Sequence, residues 1–81
     1  MNGVTLWINN ERHLYDLALD CVRCTRSLHE AAAHFNLNIQ KACNATPENP
    51  ATTPDGHEYT HENVLAAIRY LVADGFSRGE E

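Results

Sequence analysis

Residues 47–56 read PENPATTPDG, and no regular element can run through them. Pro47, Pro50 and Pro54 each lack the backbone N–H that a helix or a strand ladder needs, and Asp55-Gly56 is a turn pair. The chain is therefore divided into a longer first part and a shorter second part, joined by a proline-rich loop over 46–57. At 81 residues there is room for one hydrophobic core only, so both parts must share it and 1–81 is expected to form a single domain. A loop of this length is long for so small a domain, and loops of that kind are often functional or mobile. Residues 76–81 are expected to form a flexible tail.

On either side of the loop the pattern is helical. Across 11–26, Leu14, Leu17, Ala18 and Cys21 recur at helical spacing, a stripe that Leu28 continues beyond Arg26, and Tyr15, Leu19 and Val22 widen it. The apolar arc exceeds half the wheel, which predicts the central helix of the fold, capped by Asn9 or Asn10 with Glu11 in its first turn. Ser27 and Glu30 have capping-box spacing, so a second helix is predicted from there to a left-handed cap at Asn36. A short third helix near 39–45 would be capped by Asn38. After the loop, Thr60 caps a last helix over 61–74, which Gly75 ends. Residues 4–8, VTLWI, are rich in β-branched and aromatic types and predict a short extended segment or strand. The expected fold is mainly α: a small bundle of three to four helices with that N-terminal segment packed on it.

The run CVRC at 21–24, with His29 and His34 behind it, suggests half of a metal site or a redox pair. Its position argues against both. Structural zinc pairs sit in tight turns, and a redox thiol wants a helix N-terminus; Cys21 lies about three turns into a helix. Cys21 therefore reads as a small buried residue and Cys24 as exposed. A Cys₂His₂ set can still be drawn with His57 and His61, although its linking segment is far longer than in the usual fingers. No metal and no cofactor is expected, and His29 and His34 read as surface residues.

Residues 28–45, LHEAAAHFNLNIQKACNA, have the outline of a helix-turn-helix, with Ala32, Asn36, Leu37 and Ala42 in the required places. Its reading helix would offer Asn38, Gln40, Lys41 and Asn44 to bases or phosphates. The plainer reading is a helical corner, since Lys41 is the lone cation of the stretch. Catalysis finds no footing: there is no G-x-S-x-G, no Gly-rich phosphate loop and no H-E-x-x-H. Asp16 and Asp20 share a helix face with Arg12 and Arg23, which is the pattern of a solvated, ion-paired surface.

Charge separates the two parts. Residues 1–46 carry four cations and four acids, whereas 47–81 carry Arg69 and Arg78 against seven acids, so the whole net charge of −5 lies in the second part. That balance disfavours a nucleic-acid binder; its plainer reading is solubility, and its sharper one, which requires the acids to converge in space, is a surface that meets a basic partner. The expected contacts are Glu48, Asp55, Glu58 and Glu62, with Tyr59 as an aromatic anchor; Trp7 is either a core lid or a second anchor. No apolar run approaches the roughly 20 residues of a membrane span. Three cysteines, an odd number, speak against a secreted disulfide scaffold, so the expected location is cytoplasmic, and Asn44-Ala45-Thr46 reads as a chance glycosylation sequon.

The opening LWINNERHLYDLAL resembles the openings of small accessory proteins of bacteriophages, in which an apolar strand runs into Asn-Asp or Asn-Glu and a Leu-Tyr pair. The resemblance covers about the first twenty residues and transfers no functional residue. It implies the cytoplasm of a bacterial host and a stoichiometric inhibitor, as in anti-CRISPR proteins that occlude a nucleic-acid-binding complex. The sequence is thus read as a small acidic, non-enzymatic protein-binding module, with a helix-turn-helix DNA-binding regulator as the alternative. A homodimer is left open.

Overall fold

The computed structural model describes residues 3–75, and the tail expected over 76–81 lies outside them. Among the described residues the chain forms α1 (Gly3–Asn10), α2 (Arg12–Cys24), α3 (Leu28–Ala42) and α4 (His61–Ala73), with no strand. The helices close a ring in which α1 packs on α2, α2 on α3, α3 on α4 and α4 back on α1. The mainly helical bundle is as expected, and no helix among the described residues is long and apolar enough to cross a membrane.

The N-terminal segment departs from expectation. Residues 4–8 are helical, not extended. Val4 and Ile8, one helical turn apart, are both fully buried, and Thr5 beside them is nearly so. Local β propensity is worth a fraction of a kcal/mol per residue, while full burial of each aliphatic side chain is worth about 1.5–3 kcal/mol, so packing decides the conformation. α1 and α2 are separated by a single extended residue, Glu11 (φ −101°, ψ 111°). Asn9 and Asn10 are used up inside α1, so Glu11 takes the cap position, and its carboxylate accepts from the His13 N–H.

The core is drawn from all four helices, with Phe35, Ile68 and Leu71 among the largest fully buried side chains. α2 supplies Tyr15, Ala18 and Cys21, whereas α4 supplies Val64, Leu65, Ala67, Ile68 and Leu71. The helix with the widest apolar arc is therefore not the central one. Leu14, Leu17, Leu19 and Val22 are only partly buried against the cluster. Cys21 lies inward as its place on the wheel requires, and burial pushes its thiol pKa up, with Asp20 and Cys24 acting in the same direction.

α3 departs both from the expected break at Asn36 and from the alternative helix-turn-helix. It runs unbroken through Asn36, so residues 28–45 contain no helix-turn-helix. The buried stripe Ala31, Ala32, Phe35 and Ile39 continues straight through the supposed turn. Asn36 is held within the helix because its Oδ1 accepts from Gln40 Nε2 at 3.0 Å, and Asn38 donates to the His34 carbonyl one turn back. The left-handed residue is Asn44 (φ 53°), immediately after the C-cap Cys43. Ala45 N–H bonds the Gln40 carbonyl and Asn44 N–H the Lys41 carbonyl, which is the Schellman pattern. Ser27 caps the start of α3 as its spacing predicts, although Glu30 returns its bond to the Arg26 N–H instead of to Ser27.

Candidate functional site

The stretch between α3 and α4 has no repetitive structure, yet its backbone groups are systematically engaged. Thr46 and Asn49 close a tight turn that carries Pro47 and Glu48. Thr52 and Glu58 then pair across a short hairpin-like excursion. Within it, Thr53 N–H donates to the His57 carbonyl at 2.8 Å, Tyr59 N–H to the Ala51 carbonyl at 3.1 Å, and the Thr53 hydroxyl accepts from the His57 N–H. Gly56 takes a left-handed φ of 88° at the bend, where a β-carbon would strain the turn.

One side chain fastens this loop to the bundle. Gln40 Oε1 accepts from the Ala51 N–H at 3.0 Å, and Gln40 Nε2 donates to the Tyr59 carbonyl at 3.2 Å. The carboxamide bridges the outgoing and returning segments much as another peptide group would. Ala51 and Thr53 are buried on either side of exposed Thr52, so the outgoing arm alternates as a strand does; on the returning arm His57 and Glu58 are exposed and Tyr59 is buried. The last anchor is at α4, where Thr60 caps the Asn63 N–H and Asn63 Nδ2 donates to the Glu58 carbonyl.

The four acids are displayed outward on this framework. Glu48 sits in the first turn, Asp55 at the bend, Glu58 on the returning arm and Glu62 in the first turn of α4, and all are exposed. Glu62 also lies at the positive end of the α4 dipole. Tyr59 does not join them. It is 5% exposed and belongs to the core, so it is no aromatic anchor for a partner. Its place beside outward Glu58 turns it inward, and burial raises its pKa to about 12, opposed by a hydrogen bond with the Trp7 side chain. Trp7 is itself partly buried against the core, which favours the lid reading.

The residues expected to contact DNA lie on and just after one unbroken helix, with no turn to set off a reading helix. Gln40 is committed to the loop, Asn38 donates to its own helix and Asn44 takes the left-handed position after the cap, while Asn38, Lys41 and Asn44 are all exposed. Nor are the members of the Cys₂His₂ set gathered. Cys21 is in the core, the His57 ring lies against the α-carbon of Gly3, and the His61 ring stacks on His29 at 5.8 Å between centroids. Among the described residues no group of three or more His, Cys, Asp or Glu side chains stands where a metal could be held.

A second surface feature, which the sequence pattern does not announce, lies on the outer side of α3. Leu37 is 55% exposed, and with Thr25, Glu30, Ala33 and His34 it lines an open depression of about 320 Å³. Drawn on one continuous helix, Leu37 falls diametrically opposite the Ala31–Phe35–Ile39 stripe. The supposed break at Asn36 hid that signal.

No family model, no curated protein and no solved structure matches the chain. Its functional reading therefore rests on its own surfaces.

Proposed function

We propose that this chain is a small, non-enzymatic binding module that docks through its 46–62 loop face on a protein partner rich in surface Arg and Lys. The observation that carries the reading is the anchoring of that loop. A long proline-rich connection is tied down by Gln40, Thr53, Thr60 and Asn63, while Glu48, Asp55, Glu58 and Glu62 point to solvent. Acids held on an ordered backbone meet a basic surface without the ordering cost that a floppy acidic tail would incur. The location of the net charge of −5, all in the second part of the chain, supports the same face.

A basic protein surface that must be kept for phosphate is the natural target, because carboxylates and phosphate oxygens compete for the same guanidinium and ammonium groups. The likeness of the N-terminal stretch to phage accessory proteins fits a stoichiometric inhibitor of a nucleic-acid-binding complex in a bacterial cell. In this chain that stretch is helix α1, a turn at Glu11 and the start of α2, so the strand of the likeness is not repeated.

The test is capture from nuclease-treated bacterial lysate by the wild-type chain and by Asp55→Lys/Glu58→Lys/Glu62→Lys. A partner held by the wild type should be released by raised salt and lost by the triple variant, whose association rate should fall most steeply at low ionic strength. A partner retained equally by both proteins would remove the electrostatic basis of the proposal.

A further inference from the structure

We infer that the outer face of α3 is a self-complementary surface by which two copies of this chain associate, antiparallel, across a twofold axis. This does not rest on the loop-docking reading, since it uses a different element and none of the loop acids. Glu30, Ala33, His34, Leu37 and Lys41 are all exposed on the outward side of α3. At 100° per residue, Glu30 and Lys41 lie eleven positions apart and within about 20° of one another on the wheel. They stand at opposite ends of one stripe about 16 Å long, with Leu37 and Ala33 between them.

A stripe with an acid at one end, a base at the other and an exposed leucine between them complements its own reverse. With a twofold axis midway along the stripe, Glu30 of one copy meets Lys41 of the other, and the same pair forms again across the axis. Leu37 then faces His34 and Ala33 of the second copy, and the open depression of about 320 Å³ that Leu37 itself lines with Ala33, His34, Thr25 and Glu30 lies within the contact. Small Ala33 lets the backbones approach, and the antiparallel arrangement also opposes the helix dipoles. Glu30 retains a carboxylate oxygen for this contact, because Oε2 alone accepts from the Arg26 N–H. The occupant is a second copy because the pairing needs both charges at this spacing on the same helix. An isologous contact of this kind closes on itself and does not propagate.

One helix face makes a weak dimer, so the measurement is sedimentation equilibrium of the full chain in a concentration series extending into the millimolar range. The wild type should move from its 9.1 kDa monomer mass toward twice that value. Each substitution counts twice in the dimer. Leu37→Asp should abolish the shift, and Lys41→Glu should weaken association roughly tenfold through two lost ion pairs and two new repulsions. The exchange Glu30→Lys/Lys41→Glu should restore most of the lost affinity, which a merely destabilised helix would not do. Far-UV circular dichroism and thermal midpoints show that each variant is folded, and Leu37→Lys replaces Leu37→Asp if the latter is not. A wild type that stays monomeric throughout, a folded Leu37 variant that associates like the wild type, or a charge exchange no better than Lys41→Glu would each overturn the inference.

Discussion

Replacing Gln40 by Ala removes three hydrogen bonds with one side chain: one from the Ala51 N–H, one to the Tyr59 carbonyl and one to Asn36 Oδ1. Ala51 and Tyr59 are both 5% exposed, so their backbone groups cannot simply turn to water. A typical buried pair contributes about 0.5–1.5 kcal/mol net, and a buried donor left without a partner costs about 1–3 kcal/mol. Allowing for some water entering the loop, the loss should be about 2–3 kcal/mol. Against a total of about 4–12 kcal/mol for a chain of this length, the thermal midpoint should fall by roughly 10–15 °C. Thermal unfolding followed by circular dichroism measures the midpoint, and amide hydrogen exchange should show the Ala51 and Tyr59 amides losing protection before those of α3. Gln40→Glu sharpens the test. It keeps an acceptor for Ala51 but sets a carboxylate against two acceptor oxygens, so it should be destabilised at neutral pH and partly recover once protonated. A midpoint within 2 °C of wild type, with the Ala51 amide still protected, would refute the clamp.

Three further outcomes follow from the same geometry. Because the Tyr59 pKa is raised to about 12 from its ordinary value near 10, the folded state holds the phenol proton more tightly than the unfolded state. That contribution is whole below about pH 10 and is lost as pH rises toward 12, so wild-type stability should fall more steeply over this window than that of Tyr59→Phe in alkaline urea titrations. At Asn44, whose φ is 53°, substitution by Gly should be nearly neutral and by Ala should cost about 1 kcal/mol, seen as a midpoint lower by about 5 °C. A thiol reagent applied to the native protein should label exposed Cys24 and Cys43 quickly, and buried Cys21 only after denaturant is added, as mass spectrometry of the adducts would show.

The parts of the fold that could be read in advance are those set by short-range chemistry. Thr60, Ser27 and Gly75 mark helix ends because a side-chain oxygen or a left-handed glycine satisfies backbone groups a few residues away. Cys21 follows from the wheel of one helix. What misled was chemistry that points two ways. Asn36 suits a left-handed cap, but it equally accepts a bond from Gln40 one turn on, and the unbroken stripe through Phe35 and Ile39 favours the second use. Residues 4–8 have strand-like composition, but as a helix packed on α4 and α2 they bury Val4 and Ile8 completely. Tyr59 looked exposed because it follows a run of loop residues. Its burial depends on pairing with Ala51 across the loop and on Gln40, 19 positions earlier, which no local pattern encodes. The exposure of Glu48, Asp55, Glu58 and Glu62, by contrast, follows directly from their charge.

The proposed docking depends on where the charge lies, not on how much there is, and a pair of variants with the same charge change separates the two. Asp55→Lys/Glu58→Lys alters the loop face, and Asp16→Lys/Asp20→Lys alters the exposed side of α2 by the same amount. The measurement is the association rate constant of each folded variant with the captured partner at low ionic strength. The loop pair should slow association by at least tenfold while the α2 pair stays within about twofold of wild type. Equal slowing by both pairs, or by neither, would contradict docking through the 46–62 face.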